Sequence, residues 1–497
     1  MGIKLSGLVS GMDTEAMVKE LVSAYNTKKE SYEKNKTKLE WKQEKWKELN
    51  AKIYKLYTGS LGTMKMYGNY NKKKTVASDS TKASVIAASN AVTGTQSLEI
   101  NKLASSGYLT GADLTRDGME KLTKDSTLSE LGITDGMSIT VSINGEDKAV
   151  ELRADMKVSE FVSELTKTGL KASFDADNQR FFISSATSGA EADFELSGDN
   201  AALAALGLNY NDADSGAVKI DGEDAEIVLN KAIFRSSSNS FSINGLTIEA
   251  REKTTAAISL STSTDVDGIY DMVKGFVKEY NELIKELDTL YGADSARGYE
   301  PLTSEEKGAM SDDDIEKWEK KIKDSLLRRD TTVGSISTML KTAMQSTYEI
   351  NGRKYSLSSF GINTLSYFTS TENEKGVFHI DGDPDDVSTA SNDDKLKAAI
   401  ATDPDTVAEF FRNLTKDMYD KVYDKMKATP LSSALTVYND KQMDNELKEV
   451  KEQITKWEDY VTEQEDYWYK KFSEMEKAMS ELQSNSSYLS GLLGGTS

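Results

Sequence analysis

The residue types that most often carry out chemistry are scarce in this chain. Histidine occurs once in 497 residues, at His379, and cysteine is absent. Disulfides, thiolate zinc sites and cysteine nucleophiles are therefore excluded. A serine nucleophile needs a base held beside it, and a single histidine offers little for such a set. His379 lies in a strand-like stretch, residues 377–380, where we interpret it as a structural or surface residue.

Two acidic stretches superficially resemble calcium-binding loops. Residues 381–392 place aspartates at the first, third and fifth loop positions. However, Asp386 occupies the sixth position, where glycine is needed, and Asn392 the twelfth, where a bidentate glutamate belongs. Residues 175–177 (DAD) fail in the same way. No phosphate-binding loop and no HExxH or GxSxG pattern occurs. The sequence thus predicts no metal site, no cofactor and no enzymatic activity.

Composition limits the partners of the chain. With 82 acidic against 61 basic residues, the net charge is −21, and such a surface repels nucleic acid and anionic lipid. No run approaches the ~20 apolar residues of a membrane-spanning helix, and the first eight residues lack a secretory signal. We expect no binding to nucleic acid, no membrane insertion and, if the protein leaves the cell, export without a cleaved signal peptide.

The strongest pattern is a heptad repeat at each end of the chain. Apolar side chains recur there at three- and four-residue steps, which places them along one edge of a long helix. A helix capped by Asp13 should begin near Thr14 and run to about Tyr57, before a break at residues 59–62. Its seam consists of Val18, Leu21, Tyr25, Tyr32, Leu39, Trp46, Leu49, Ile53 and Leu56, interrupted by the polar Lys28, Asn35 and Lys42. The C-terminal seam consists of Leu447, Val450, Ile454, Trp457, Val461, Gln464, Trp468, Phe472, Met475, Met479 and Leu482, of which Gln464 is polar. It has one extra four-residue step around Trp468, a stutter that locally unwinds a supercoil.

The charges of the two repeats are opposite. Residues 28–74 hold 14 basic and 5 acidic side chains, and residues 440–483 hold 13 acidic and 7 basic ones. Opposite charge on long helices favours their pairing. We therefore predict that the first and last helices pair, with the lysines facing the acidic helix. In the middle of the N-terminal seam, every second position is polar. We therefore expect the pairing of the two helices to be weak enough for them to separate and pair again.

The intervening sequence is β-rich first and helical later. Residues 75–262 contain period-two runs, with tight hairpin turns at Asn144-Gly145 and Asn244-Gly245. Helical patterns return at residues 265–291, 311–329, 394–401 and 404–426. The predicted class is a multidomain α+β fold in which paired terminal helices carry inserted β-rich head domains. The predicted segments are an N-terminal helical leg (1–74), a β-rich head in two parts (75–112 and 215–262) around an inserted outer domain (113–214), a helical-bundle leg (263–435) and a C-terminal coiled-coil helix (436–497).

Several stretches, in the same order along the chain, resemble one family. The opening 5–18 (LSGLVSGMDTEAMV) contains Ser6, Gly7, Gly11 and Asp13, and 276–284 (FVKEYNELI) contains Phe276, Tyr280 and Asn281. Further motif positions are Pro301, Leu302, Trp318 and Leu327. Together they resemble the flagellar filament cap family, also called flagellar hook-associated protein 2. Residues 381–392 depart from the pattern, since the family usually has a shorter link there.

The resemblance implies a homo-oligomer, often a pentamer, at the distal tip of the bacterial flagellar filament. Such a cap would be extracellular, having passed through the flagellar export apparatus, with an export chaperone as a further partner. It would help flagellin to fold and insert and would stop monomers from escaping. Some relatives also contribute to adhesion to a host-surface ligand. The alternatives are another axial flagellar protein, such as flagellin or a hook–filament junction protein, and a coiled-coil adhesin with a β-rich binding head.

Overall fold

The computed structural model describes residues 11–115, 120–365 and 374–493, with side chains described as far as Ser490. Its α-helices are α1 (Thr14–Leu56), α2 (Gly62–Met64), α3 (Val158–Lys167), α4 (Asn200–Ala205), α5 (Val266–Gly292), α6 (Ser304–Gly308), α7 (Asp312–Ser325), α8 (Thr331–Met344), α9 (Lys395–Thr402), α10 (Pro404–Lys425) and α11 (Asp440–Leu493). Among the described residues, no helix has the length and apolar character needed to cross a bilayer.

The strands are short and lie mostly in the middle of the chain. They are β1 (Lys73–Ala77), β2 (Ala83–Ala87), β3 (Gly94–Lys102), β4 (Tyr108–Thr110), β5 (Ser138–Ile143), β6 (Glu146–Glu151), β7 (Leu170–Asp175), β8 (Arg180–Ser185), β9 (Phe194–Gly198), β10 (Val218–Ile220), β11 (Ala225–Leu229), β12 (Ala232–Ser236), β13 (Ser240–Ile243), β14 (Leu246–Ala250), β15 (Ile258–Thr264), β16 (Tyr348–Ile350), β17 (Arg353–Tyr355), β18 (Ile362–Thr364) and β19 (Phe378–Ile380). The mixture of long terminal helices and a β-rich middle confirms the predicted fold class.

One compact unit is formed by the two ends of the chain, Met1–Tyr70 and Val266–Ser497. Its largest core gathers the second half of α1 with α5, α8, α9 and α10. In α5, Phe276, Tyr280 and Ile284 recur at four-residue steps and are fully buried, so that one face of the helix lies in the core. Residues separated by more than 200 positions in sequence thus share one apolar interior.

The other compact unit, Asn71–Asp265, is built from antiparallel sheets. A five-stranded sheet of order β1-β15-β3-β11-β12 and a three-stranded sheet of order β13-β14-β2 contribute to one core. A second core lies among the sheets β10-β4-β8-β7 and β6-β5-β9 and helices α3 and α4. The division of the chain into six segments stays a prediction.

Both predicted Asn-Gly turns are hairpins. Asn144 and Gly145 have φ of 49° and 77° and join β5 to β6, while Asn244 and Gly245 have φ of 46° and 81° and join β13 to β14. Positive φ at both central positions is the signature of a type I′ turn, whose twist matches that of the strands. The sequence chemistry of these turns therefore fixes the local pairing.

The predicted break after Tyr57 is wrong. The backbone stays helical through a π-helical segment, Tyr57–Leu61, and continues as α2. Leu61 and Met64 are buried in the core, and this burial offsets the low helix propensity of Gly59 and Gly62. A Cβ at Gly62 would lie 3.2 Å from the Tyr57 carbonyl oxygen, so glycine also suits this crowded turn.

Candidate assembly site on the terminal helices

The start of α1 has the cap that the sequence predicts. Gly11 adopts φ +67°, a left-handed conformation suited to glycine. Two residues later, the Asp13 carboxylate accepts a hydrogen bond from the Ala16 amide at 2.9 Å, which satisfies one of the free amides of the first turn. The motif positions Ser6 and Gly7 lie outside the described residues.

Helices α1 and α11 pack side by side in antiparallel orientation. The Tyr25 ring meets the Tyr460 ring edge-on, with centroids 5.2 Å apart. Closer to the core, the Gln43 amide donates to Asp444 at 2.6 Å, and Trp46 stacks on Tyr438 at 5.3 Å. As the residue numbers increase along α1, the numbers of the residues that they contact near the C-terminus decrease. The two ends of the chain form a helical hairpin.

The hairpin is held by apolar contacts at its two ends. At the far end, Val18 and Val22 pack with Phe472, and Tyr25 and Trp468 lie against them. At the other end, the buried seam residues Trp46, Leu49, Ile53 and Leu56 are part of the main core. Val461 is also buried, with 7% of its surface exposed.

The middle of the hairpin is less completely buried than its two ends. No side chain between residues 23 and 42, all of which are described, is buried. The predicted seam residues Tyr25, Tyr32 and Leu39 are half-buried, as are Leu447, Val450, Ile454, Trp457 and Trp468. Lys28 and Asn35 are exposed. Since these side chains keep part of their surface in water, each contributes less to the stability of the hairpin than a fully buried side chain does.

The predicted seam is wrong at three positions. Leu21 is 42% exposed, whereas its neighbour Val22 is fully buried. On a straight α-helix, side chains that repeat every seven residues form a stripe that drifts slowly around the helix. The four-residue steps on either side of Trp468 bring the apolar spacing of α11 closer to that of a straight helix. As a result, the residue of α1 that packs against α11 at this level is Val22 and not Leu21. At the end of α11, Met479 and Leu482 are also exposed, by 38% and 68%.

Among the described residues, the lysines of α1 pair with acids of other segments instead of the acids of α11 that we predicted. Lys34 binds Glu306 at 3.0 Å and Lys38 binds Glu300 at 2.5 Å. Further along the helix, Lys42 lies 3.9 Å from Asp330 and Lys52 lies 2.6 Å from Glu286. These acids belong to α5 and to the segment between α5 and α8, not to α11. An ion pair between the paired helices has the opposite polarity, with Lys451 of α11 lying 3.8 Å from Glu40. The two charge excesses therefore do not account for the pairing.

The motif residues on α5 lie in the interior of the helical unit. The Phe276 side chain and the Tyr280 ring are fully buried, and the Tyr280 hydroxyl donates to the Gly376 carbonyl at 3.2 Å. The Asn281 amide donates to the Phe378 carbonyl at 2.7 Å and accepts from the Phe378 amide at 2.9 Å. A side-chain amide can donate and accept at the same time. The Asn281 side chain thus makes the two hydrogen bonds that a neighbouring strand would make with β19, and it joins α5 to that strand.

The other motif positions hold the segment between α5 and α8. Pro301 is buried and Leu302 half-buried, while Leu327 is buried in the core. The Trp318 indole donates to the Glu300 carbonyl at 2.8 Å, and its ring lies 4.5 Å from that of Tyr299. The Ser311 side chain caps α7 by accepting a hydrogen bond from the Asp314 amide. This segment is the same one that binds Lys34 and Lys38.

In the acidic loop after β19, residues 381–392, carboxylates form ion pairs with basic side chains of the protein. Lys274 of α5 lies 2.5 Å from Asp383 and 2.6 Å from Asp385. Burial opposes the charge on Lys274, but the hydrogen bonds to both carboxylates outweigh it and raise the pKa of the ammonium group. His379 lies 2.5 Å from Asp386. We interpret this loop as a structural tie between β19 and α5.

Comparisons with known proteins identify the same group throughout. The family profile described as "Flagellar hook-associated protein 2 C-terminus" matches residues 222–484, and that described as "Flagellar hook-associated protein 2 N-terminus" matches residues 10–107. A flagellar hook-associated protein 2 of Halalkalibacterium halodurans is 25% identical over 82% of this chain and 78% of its own length. Another, from Thermotoga maritima, is 28% identical over 54% of this chain and 40% of its own length. In fold, the chain is similar to the D1-D2-D3 domains of the Escherichia coli flagellar cap protein FliD, with a TM-score of 0.52, 19% identity and coverage of 81% of this chain and 99% of that one.

Proposed function

Because the chain belongs to the flagellar hook-associated protein 2 family, we propose that it acts as the cap of the bacterial flagellar filament. It promotes the folding and insertion of flagellin at the distal end and prevents the loss of flagellin monomers. The protein is a structural component of an extracellular assembly rather than a catalyst. The observation that carries this proposal is the antiparallel hairpin of α1 and α11, which is fully buried at both ends and less completely buried in the middle.

The hairpin supports a mechanism of repeated release. Between its anchors, side chains such as Tyr32 and Leu39 are only partly buried, so opening this stretch costs less buried apolar area per residue than opening either end. The Val18–Val22–Phe472 cluster keeps the far ends together while this happens. A cap must move by one subunit each time flagellin is added, and a hairpin of this kind can loosen without unfolding the core.

The proposed partners follow from the same assignment. The protein assembles with itself into a ring, which we propose to be a pentamer, and it binds flagellin. It reaches the tip through the flagellar export apparatus without a cleaved signal peptide, helped by an export chaperone. A host-surface ligand of the β-rich unit is a further proposal.

Deletion of the gene tests the function. We expect the deletion strain to secrete monomeric flagellin and to bear hooks without filaments in electron micrographs, and we expect the reintroduced gene to restore filaments. A strain expressing Leu21→Ala, a change at an exposed position, is the matched control and should form filaments normally. Intact filaments after deletion would overturn the proposal, and loss of adhesion alone would instead support the adhesin alternative.

A further inference from the structure

The β-rich unit consists of two lobes with separate cores. The first lobe, residues 71–102 and 225–265, contains the sheets β1-β15-β3-β11-β12 and β13-β14-β2. The second lobe, residues 108–220, is inserted into the first. The chain therefore crosses between the lobes twice, at residues 103–107 and 221–224. Segments that cross between domains are usually flexible, so the two lobes should move relative to each other unless specific contacts oppose this motion.

The two crossing segments are hydrogen-bonded to each other. The Ser105 amide donates to the Glu223 carbonyl at 2.9 Å, and the Glu223 amide donates to the Ser105 carbonyl at 3.1 Å. On the side of the first lobe, the Asn239 side chain accepts from the Ala104 amide at 2.7 Å and donates to the Ala104 carbonyl at 3.3 Å. Backbone groups that would bind water in a free linker are thus paired with protein groups.

A loop of the second lobe adds further bonds to this crossing. It comprises residues 186–193 and connects β8 to β9, and we term it the clasp. The Gly189 amide donates to the Ser105 carbonyl at 3.1 Å, and the Ala190 amide donates to the Asp224 carboxylate at 2.8 Å. The clasp therefore binds both crossing segments.

The clasp also packs closely against the first lobe. The Ser188 hydroxyl donates to the Ser237 carbonyl, between β12 and β13, at 2.7 Å. Gly189 has φ of +106°, and a Cβ at this position would lie 2.6 Å from the Cβ of Ser237. A Cβ at Gly222, in the second crossing segment, would lie 2.7 Å from the Gly189 carbonyl oxygen. Glycine thus permits an approach of backbones that a side chain would prevent.

A buried lysine holds the end of the clasp. The Lys219 side chain is 7% exposed, and its ammonium lies 2.9 Å from Asp193 of the clasp and 2.6 Å from Asp221 of the second crossing segment. Burial opposes the charge on Lys219, but the hydrogen bonds to Asp221 and Asp193 outweigh it and raise the pKa of the ammonium group. Because separating a buried ion pair leaves a charge without its partner, this pair opposes the opening of the clasp.

We propose that the clasp holds the two lobes together as one rigid body and that it opens before either lobe unfolds. Opening breaks polar contacts, whereas residues 186–193 contain no large apolar side chain, so little apolar surface enters water. With the clasp closed, a partner that acts on the second lobe also moves the first. The inference concerns the β-rich unit alone and does not depend on the proposed function.

Distances between two spin labels, one on each lobe, test whether the clasp holds. Because the chain has no cysteine, Ser163→Cys and Thr247→Cys introduce the only labelling sites, and both positions are exposed. The full-length protein is diluted with unlabelled protein, so that only distances within one chain are measured. We expect one narrow peak when the clasp is intact. Gly189→Ala places a Cβ against Ser237 and should replace the narrow peak by a broad distribution.

A matched control separates this contact from backbone strain. Gly136, also in the second lobe, has φ of +89° and would accept a Cβ with nothing within 4 Å. Gly136→Ala should therefore keep the narrow peak. A broad distribution with the clasp intact, or an unchanged narrow peak in Gly189→Ala, would overturn the inference. An equally broad distribution in Gly136→Ala would also overturn it, because strain alone would then explain the motion.

Asp224→Ala covers the case in which Gly189→Ala does not fold. It removes the acceptor of the Ala190 amide, whose hydrogen exchange should become about 10-fold faster, while the amides of both cores exchange as before. The control is Asp212→Ala, since the Asp212 carboxylate also accepts from a backbone amide, that of Asp214, at 3.0 Å. It should leave exchange at Ala190 unchanged. Unchanged exchange at Ala190 in Asp224→Ala, or equally faster exchange in the cores, would contradict the inference.

Discussion

Val22 offers a direct test of how the hairpin is anchored. It is fully buried in the far-end cluster, whereas the adjacent Leu21 is 42% exposed. Val22→Ala removes the equivalent of two methylene groups at ~0.8 kcal/mol each and leaves a small cavity, so it should destabilise this end of the hairpin by about 2 kcal/mol. Leu21→Ala, although it removes more atoms, should change the stability by less than about 0.5 kcal/mol.

Hydrogen exchange can measure this difference locally. Amides in the first turns of α1 exchange when this end of the hairpin opens, so a loss of about 2 kcal/mol should speed their exchange about 30-fold in Val22→Ala. Amides of α5, in the main core, should be unaffected and serve as an internal reference. If Leu21→Ala accelerated exchange as much as Val22→Ala, the heptad seam predicted from the sequence would be right and the register described above would be wrong.

Three further predictions concern the core, the segment between α5 and α8, and the partly exposed middle of the hairpin. Asn281→Ala leaves the Phe378 amide and carbonyl without their partner and should reduce the free energy of unfolding by about 2 kcal/mol in urea titrations; no loss would show that water replaces the side chain. The hydrogen bond from the Thr303 amide and then the Lys34 ammonium lower the pKa of Glu306 from 4.5, so its stabilisation is complete above pH 4.5 and lost as the pH falls below the lowered value. For this exposed pair, Glu306→Gln should therefore cost at most about 0.5 kcal/mol at pH 7 and nothing once the carboxylate is protonated; an equal cost at both pH values would exclude the ionic explanation. Lys28→Leu combined with Asn35→Leu should close the middle of the hairpin and slow filament elongation in a motility assay, and unchanged elongation would contradict the release mechanism.

The parts of the fold that depend on short-range chemistry were predictable from the sequence. The two Asn-Gly hairpins follow from turn residues that tolerate positive φ. Helix starts follow from capping residues, since Asp13, Ser311 and Asp394 each accept a hydrogen bond from an amide of the helix they precede. The pairing of the chain ends follows from the apolar spacing of both repeats.

The parts that depend on distant residues were not predictable. The sheet order β1-β15-β3-β11-β12 brings together strands whose pairing no local pattern specifies. Likewise, α1 is rich in lysine and α11 in acid, but the acids that reach Lys34 and Lys38 come from Glu306 and Glu300. Net charge does not reveal this, because an ion pair depends on which side chains the core brings within a few ångströms. The stacking of Tyr57 on Tyr419 was not predictable for the same reason, since the two residues are far apart in sequence.

We infer that the first and last helices also lie antiparallel in the assembled protein. Distances between spin labels test it, with cysteines at Thr27 and Asp459 in one protein and at Thr27 and Lys441 in a second, each diluted with unlabelled subunits. The first pair faces across the hairpin, while the second is offset along α11 by 18 residues, about 27 Å of helix. We expect the distance between the labels to be at least about 10 Å shorter for the first pair than for the second. Equal distances, or a shorter distance for the pair with Lys441, would contradict it.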